Sequence, residues 1–138
     1  MAAVFLSAFA GRGWTGAYAV AAYAAGGTLL ALGSLLFAAG ALRLSTSLTP
    51  FPVPRPGGAL SADGPYLLVR HPIYGGGILI AFGWTIVFAS VAGLLLALVL
   101  AGFLDLKSRR EELWLAERYD GYEAYRRRTP RRFLPFVY

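Results

Sequence analysis

Two uninterrupted runs without a charged residue, residues 13–42 (30 residues) and 72–104 (33 residues), constrain this chain more than anything else in it. In water such runs would have to be buried, and a chain of 138 residues has too little polar surface to cover them. Only 14% of the residues are charged and 57% are hydrophobic, which no small water-soluble domain shows. The expected fold is an all-α membrane protein. It is a small helical bundle of about three transmembrane segments, including a helical hairpin, with a cytosolic C-terminal helix and tail. One domain is expected over residues 1–138.

As a helix the first run would extend about 45 Å against a hydrocarbon core of roughly 30 Å, so one span is expected over residues 17–42. Gly26, Gly27, Gly33 and Gly40 read as small-residue contacts with neighbouring helices rather than as chemistry. Residues 43–70 differ, because Pro50, Pro52, Pro54 and Pro56, followed by Gly57, Gly58 and Gly64, exclude a helix. An extended or turn-rich cytosolic loop is expected there, and a lid is one role open to it. The second run is long for one untilted span and short for two. A single helix would set Arg70 and His71 about 60 Å from Glu111 and Glu112, whereas a hairpin would set them side by side. The hairpin is favoured, with arms 72–89 and 91–104: Ser90 suits a cap, Gly93 a close backbone approach, and residues 89–93 interrupt the large apolar side chains.

Nine basic residues follow the last apolar run and four precede it, which places the carboxyl end in the cytosol. The chain is expected to be a multi-pass protein of the cell (inner) membrane. The net charge of +6 follows from this rule and from contact with anionic headgroups, so no nucleic-acid partner is expected. Residues 1–10 are apolar but lack the charged start of a signal peptide, and are expected to be retained. Residues 105–118 carry alternating charges and good helix formers, so the last helix should run on until Tyr119-Asp120-Gly121. The tail, residues 122–138, interleaves Tyr122, Tyr125, Phe133 and Phe136 with five arginines. It suits an interfacial anchor or a piece that closes a site.

The absence of cysteine removes disulfides, thiolate metal sites and cysteine nucleophiles. The one histidine sits in Arg70-His71-Pro72-Ile73-Tyr74, where a loop meets a helix start whose free N–H groups favour an anion. One histidine without cysteine gives too few strong ligands for zinc, so no metal is expected. A second cluster comprises Lys107, Arg109, Arg110, Glu111 and Glu112. Adjacent carboxylates point about 100° apart on a helix, so one of the two can face inward. Asp105, Ser108 and Glu112 share one face, and Leu104, Lys107, Glu111 and Leu115 another. A solvated helix laced with ion pairs remains the simpler alternative. If the hairpin brings both clusters together, they suit a zwitterionic, cationic ligand. Arg70 or the helix start would take a carboxylate, Glu111 or Glu112 an α-amino group, and Tyr66 or Tyr74 an aromatic ring. S-adenosylmethionine has all three.

Gly64-Pro65-Tyr66, Arg70-His71-Pro72-Ile73-Tyr74, an apolar hairpin, Glu111-Glu112, Tyr122-x-x-Tyr125 and Pro130-Arg131-Arg132-Phe133-Leu134-Pro135 follow in that order. This ordered set resembles the isoprenylcysteine carboxyl methyltransferase family and the related phospholipid methyltransferases, over roughly residues 54–136. The resemblance implies a membrane-embedded enzyme that binds S-adenosylmethionine from the cytosol and takes a lipophilic acceptor, such as a membrane lipid, laterally from the bilayer. It implies that Leu60, Tyr66, His71, Pro72, Ile73, Tyr74 and Glu111 line the cofactor pocket. Methyl-esterifying members carry an arginine four residues before the glutamate to position a carboxylate. Here Lys107 stands there, which keeps the charge but loses the two-pronged grip, with Arg109 or Arg110 as substitutes. A prenylcysteine carboxylate is therefore not implied as the acceptor. Tyr119-Asp120 replaces the Phe-Gly that often precedes the Tyr-x-x-Tyr element, and the short form looks bacterial. The implied mechanism is in-line transfer of the sulfonium methyl to an oxygen, nitrogen or sulfur nucleophile, with Arg70 and Lys107 as the catalytic candidates.

Two other readings compete. NADPH-dependent sterol-type reductases have a similar Arg-His-Pro element, but typically continue with Asn-Tyr and Gly-Glu, which Ile73-Tyr74-Gly75-Gly76 lacks. The other is a non-catalytic membrane scaffold whose ion pairs only stabilise helix ends.

Overall fold

The computed structural model describes residues 13–44 and 60–135. Among them the chain forms four α-helices and no strand: α1 (Ala19–Leu44), α2 (Pro72–Val87), α3 (Val91–Arg118) and α4 (Tyr122–Arg128). The proline cluster of residues 50–56, Gly57, Gly58, residues 1–10 and Phe136 lie outside the described residues.

Alanine and leucine dominate α1, with no proline inside it, so helix propensity and length favour 26 residues of uninterrupted helix. The helix follows a 3₁₀ turn at Gly16–Tyr18 and includes Arg43. It outruns the expected span by two residues because a charge ends an apolar run without ending a helix. α2 opens on Pro72, whose missing N–H is no loss in a first turn. It stops at Val87, two residues short of the expected arm. There Ala89 takes a positive φ of 48°, and Ser90 N–H reaches back to the Thr85 carbonyl at 3.0 Å. Ser90 then caps α3: its Oγ accepts the Gly93 N–H at 3.0 Å and its carbonyl the Leu94 N–H at 2.9 Å.

Two helical segments, Gly16–Leu44 and Val91–Arg118, are long and apolar enough to cross a membrane. Many of their large apolar side chains face outward, among them Val20 (80% exposed), Leu35 (73%) and Val99 (69%). A helix in lipid presents such a surface, and one in water rarely does. α2 has 16 residues, about 24 Å, and falls short of a full hydrocarbon crossing.

The chain divides into two compact units. The first takes the described residues up to Leu35 together with Gly76–Phe103. Its packing rests on small residues. A Cβ on Gly26 would lie 2.9 Å from the Gly83 carbonyl oxygen, and one on Gly33 would lie 2.8 Å from that of Gly76. Ala81 and Ala97 meet in its core, with Phe82, Trp84 and Leu100 around them. Gly27, by contrast, faces open space.

The second unit takes the described residues of Leu36–Gly75 and those from Leu104 onward. Gly40 packs against Pro72 and Ile73. Tyr66, Tyr122 and Tyr125 form its aromatic core, with Leu44, Leu60 and Leu115 against them. Residues 60–70 run over this core through a 3₁₀ turn at Gly64–Leu67, with Asp63 paired to Arg43. Every candidate site residue lies in this unit.

Candidate functional site

Glu112 is the hub. Its carboxylate sits on the inward face of the charged part of α3, beyond the apolar run that ends at Leu104, and is 6% exposed. Arg70 grips it from the loop before α2, with Nε 2.9 Å from Oε1 and a second nitrogen 3.5 Å from Oε2. His71 Nε2 lies 3.2 Å from Oε1, and Arg132 Nε 3.3 Å from the same oxygen. Arg132 also donates to Asp105 at 2.8 Å. Burial alone would raise the Glu112 pKa. Hydrogen bonds from His71 and Arg70 outweigh it and hold the group at about 2.

The tail after α4 folds onto this hub through its main chain. Arg70 N–H donates to the Arg131 carbonyl at 3.0 Å and His71 N–H to that of Arg132 at 2.9 Å. The Arg70 guanidinium also donates to the carbonyls of Thr129 (2.9 Å) and Pro130 (2.5 Å). Gly75 makes this approach possible, since a Cβ there would lie 2.0 Å from the Phe133 carbonyl oxygen. The tail thus closes over the cluster, the second of the two roles left open for it.

Glu111 lies one residue back and faces differently. Its Oε1 accepts the Tyr74 hydroxyl at 2.7 Å, and its Oε2 lies 3.7 Å from His71 Nδ1. Burial pushes its pKa above the usual carboxylate range, against the lowering pull of Tyr74, His71 and Lys107. Neighbouring carboxylates are therefore driven in opposite directions, a pattern found where two acids have separate tasks. Lys107 stands over the Tyr74 ring, 5.1 Å from its centre, and His71 stacks on that ring at 5.4 Å with the planes 4° apart. Burial, with the charge of Glu111, raises Tyr66 to about 12, so it stays a neutral phenol.

The structure therefore gathers Arg70, His71, Tyr74, Lys107, Glu111 and Glu112. Leu60 packs beside Tyr66 in the tyrosine core, while Pro72 and Ile73 lie against Gly40. Sequence reasoning gave no role to Arg132, Gly75 or the carbonyls of Thr129 and Pro130. The Arg-Arg-Phe of the tail marked the region, but main-chain acceptors carry no residue signature.

A helical protein with outward apolar faces and a buried ionic cluster under its own tail belongs to the class of membrane proteins with an internal polar site. The phospholipid methyltransferase family model matches residues 21–121, and the chain belongs to that family. None of the curated proteins compared matches it.

Proposed function

We propose that this chain transfers a methyl group from S-adenosylmethionine to a lipophilic acceptor at the cytosolic face of the inner membrane, with α2 as a third, short membrane-embedded arm. The observation that carries this reading is the placement of Glu111 between Tyr74, His71 and Lys107, in a chain whose family is one of methyltransferases. The donor set fits the cofactor. Glu111 Oε2 stands beyond hydrogen-bond distance of His71 and is an acceptor suited to an ammonium. The first-turn N–H groups of α2 at Ile73 and Tyr74 lack helical partners and suit a carboxylate. Tyr74 borders this cluster, whereas Tyr66 is packed into the tyrosine core.

Arg70 has most of its donors committed to Glu112 and to tail carbonyls, so the geometry favours the helix start over Arg70 as the carboxylate anchor. Arg70 is then a positioning residue that locks tail to hub, and Lys107, over the Tyr74 ring, is the candidate for steering an acceptor. When bound, the cofactor supplies an already activated methyl group. The protein's work is to hold the reactants in line and to exclude water, which the docked tail serves. Family membership supports a lipid-type acceptor over the reductase reading. Calorimetric titration of the solubilised protein with S-adenosylhomocysteine tests the reading: binding in the micromolar range, abolished by Glu111→Ala, is expected. A folded preparation that shows no binding would overturn it.

A further inference from the structure

A tight loop in water turns its leucines inward where it can. The turn at Gly64–Leu67 does the reverse: Tyr66 and Val69 are buried, whereas Leu67 and Leu68 between them are 53% and 55% exposed. At about three residues per turn, Tyr66 and Val69 share the inner side and the two leucines take the outer one. Hydrogen bonds hold this display in place. The Leu68 and Val69 N–H groups both donate to the Pro65 carbonyl, at 3.1 and 3.2 Å, and the Tyr66 carbonyl accepts the Tyr125 hydroxyl at 2.8 Å. We infer that the turn is inserted into the bilayer surface. Leu67 and Leu68 enter the acyl boundary of the leaflet at the Arg43 end of α1.

The end of α1 supplies the height. Leu42, an exposed side chain, is the last residue of the first apolar run, and Arg43 follows it. A spanning helix leaves the hydrocarbon at such a step. Arg43 Nε–H donates to Asp63 Oδ1 at 2.8 Å, and a Cβ on Gly64 would lie 3.9 Å from the Arg43 side chain. The turn therefore begins at the membrane boundary. At about 2 Å of rise per residue, the backbone of both leucines stays within about 10 Å of Asp63.

Charge points the same way. α4 docks on this segment through Tyr125 and through Arg128, whose Nη2 donates to the Ala62 carbonyl at 3.4 Å. Arg126, Arg127 and Arg128 are exposed on it. Outward leucines flanked by arginines match acyl chains beneath phosphates, the pattern of an element that lies in a lipid surface. Arg70 and His71 follow Leu68 by two and three residues, so the inserted turn sets the depth of the polar cluster against the bilayer.

Single labels can report that depth, because the chain has no native cysteine. Leu67→Cys and Leu68→Cys are each labelled with a small fluorophore in the full chain, reconstituted in vesicles of phosphatidylcholine and phosphatidylglycerol. Leu42→Cys serves as the lipid reference, and Asp120→Cys, exposed beyond the end of α3, as the aqueous one. Iodide quenches from the water, and a nitroxide carried near the top of a lipid acyl chain quenches from the bilayer. The lipid nitroxide should quench both turn labels at least about twofold more than the Asp120 label, as it does the Leu42 label, and iodide at least about twofold less. A response like that of Asp120 at either leucine would put the turn in water and overturn the insertion. Quenching by neither agent would mean that another part of the chain or a second copy covers the leucines, and would overturn it equally. So would a Leu42 label that the lipid nitroxide misses. None of these outcomes depends on cofactor binding or methyl transfer.

Discussion

Glu112 and Glu111 are neighbours in sequence with opposite duties, and substitution should separate them. Glu112→Ala removes the carboxylate from the buried Arg70 pair, a loss that costs about 3 to 5 kcal/mol. A large drop in the thermal unfolding midpoint in detergent is expected, whereas Glu111→Gln should unfold near the original temperature. The pH dependence follows from the same hub. The Glu112 pKa is lowered on folding, so its stabilisation is present above the ordinary carboxylate value of 4.5 and is lost as pH falls toward about 2. Unfolding midpoints measured from pH 7 to pH 3 should fall at the acid end and fall less in Glu112→Gln. The residues of this hub were half legible. Spacing placed Asp105 with Glu112 and Lys107 with Glu111 on shared faces, and the structure uses both pairs, one on Arg132 and the other around Tyr74. Spacing suggested that one of the two carboxylates faces inward, whereas the structure turns both toward the cluster, because Tyr74 and His71 reach Glu111 while Arg70 and Arg132 reach Glu112.

At the scale of elements, glycine decides how closely helices pack. In the first unit Gly33 meets the α2 backbone, while Gly27 meets nothing. Gly33→Ala should lower the unfolding midpoint, by about 1 to 3 kcal/mol of overpacking, and Gly27→Ala should leave it unchanged or raise it through helix propensity. Sequence reasoning grouped Gly26, Gly27, Gly33 and Gly40 together. Gly26, Gly33 and Gly40 stand seven residues apart, two helical turns, and each of these three has a close neighbour. The turn at Ser90 was legible because a cap is a local hydrogen bond between residues near in sequence. The helix α4 was not foreseen. Seven residues with three consecutive arginines show no apolar period, and α4 is held by Tyr122 and Tyr125 reaching the aromatic core.

For the whole molecule, the long apolar helices were legible because length and charge are all that a bilayer asks of a span. The tail's return was not, since its contacts run between carbonyls and residues about 60 positions away. Orientation remains a proposal with a clean assay, because the chain has no native cysteine. A single cysteine placed by Glu123→Cys should react with a membrane-impermeant maleimide in inverted vesicles and stay unlabelled in intact cells. Labelling of intact cells would reverse the topology.

The docking of the tail is also a rule about arithmetic. Four consecutive carbonyls, from Thr129 to Arg132, meet donors of Arg70 and His71, and the next, that of Phe133, presses on Gly75. Main-chain oxygens are the same whatever letter follows them. Between the aromatic anchors of α4 and Phe133 the segment can drift in identity at Pro130 and Arg131, whose side chains are exposed, yet it cannot gain or lose a residue. One insertion would offset every donor from its acceptor at once. Descendants of this chain would be expected to vary there by spelling and never by length.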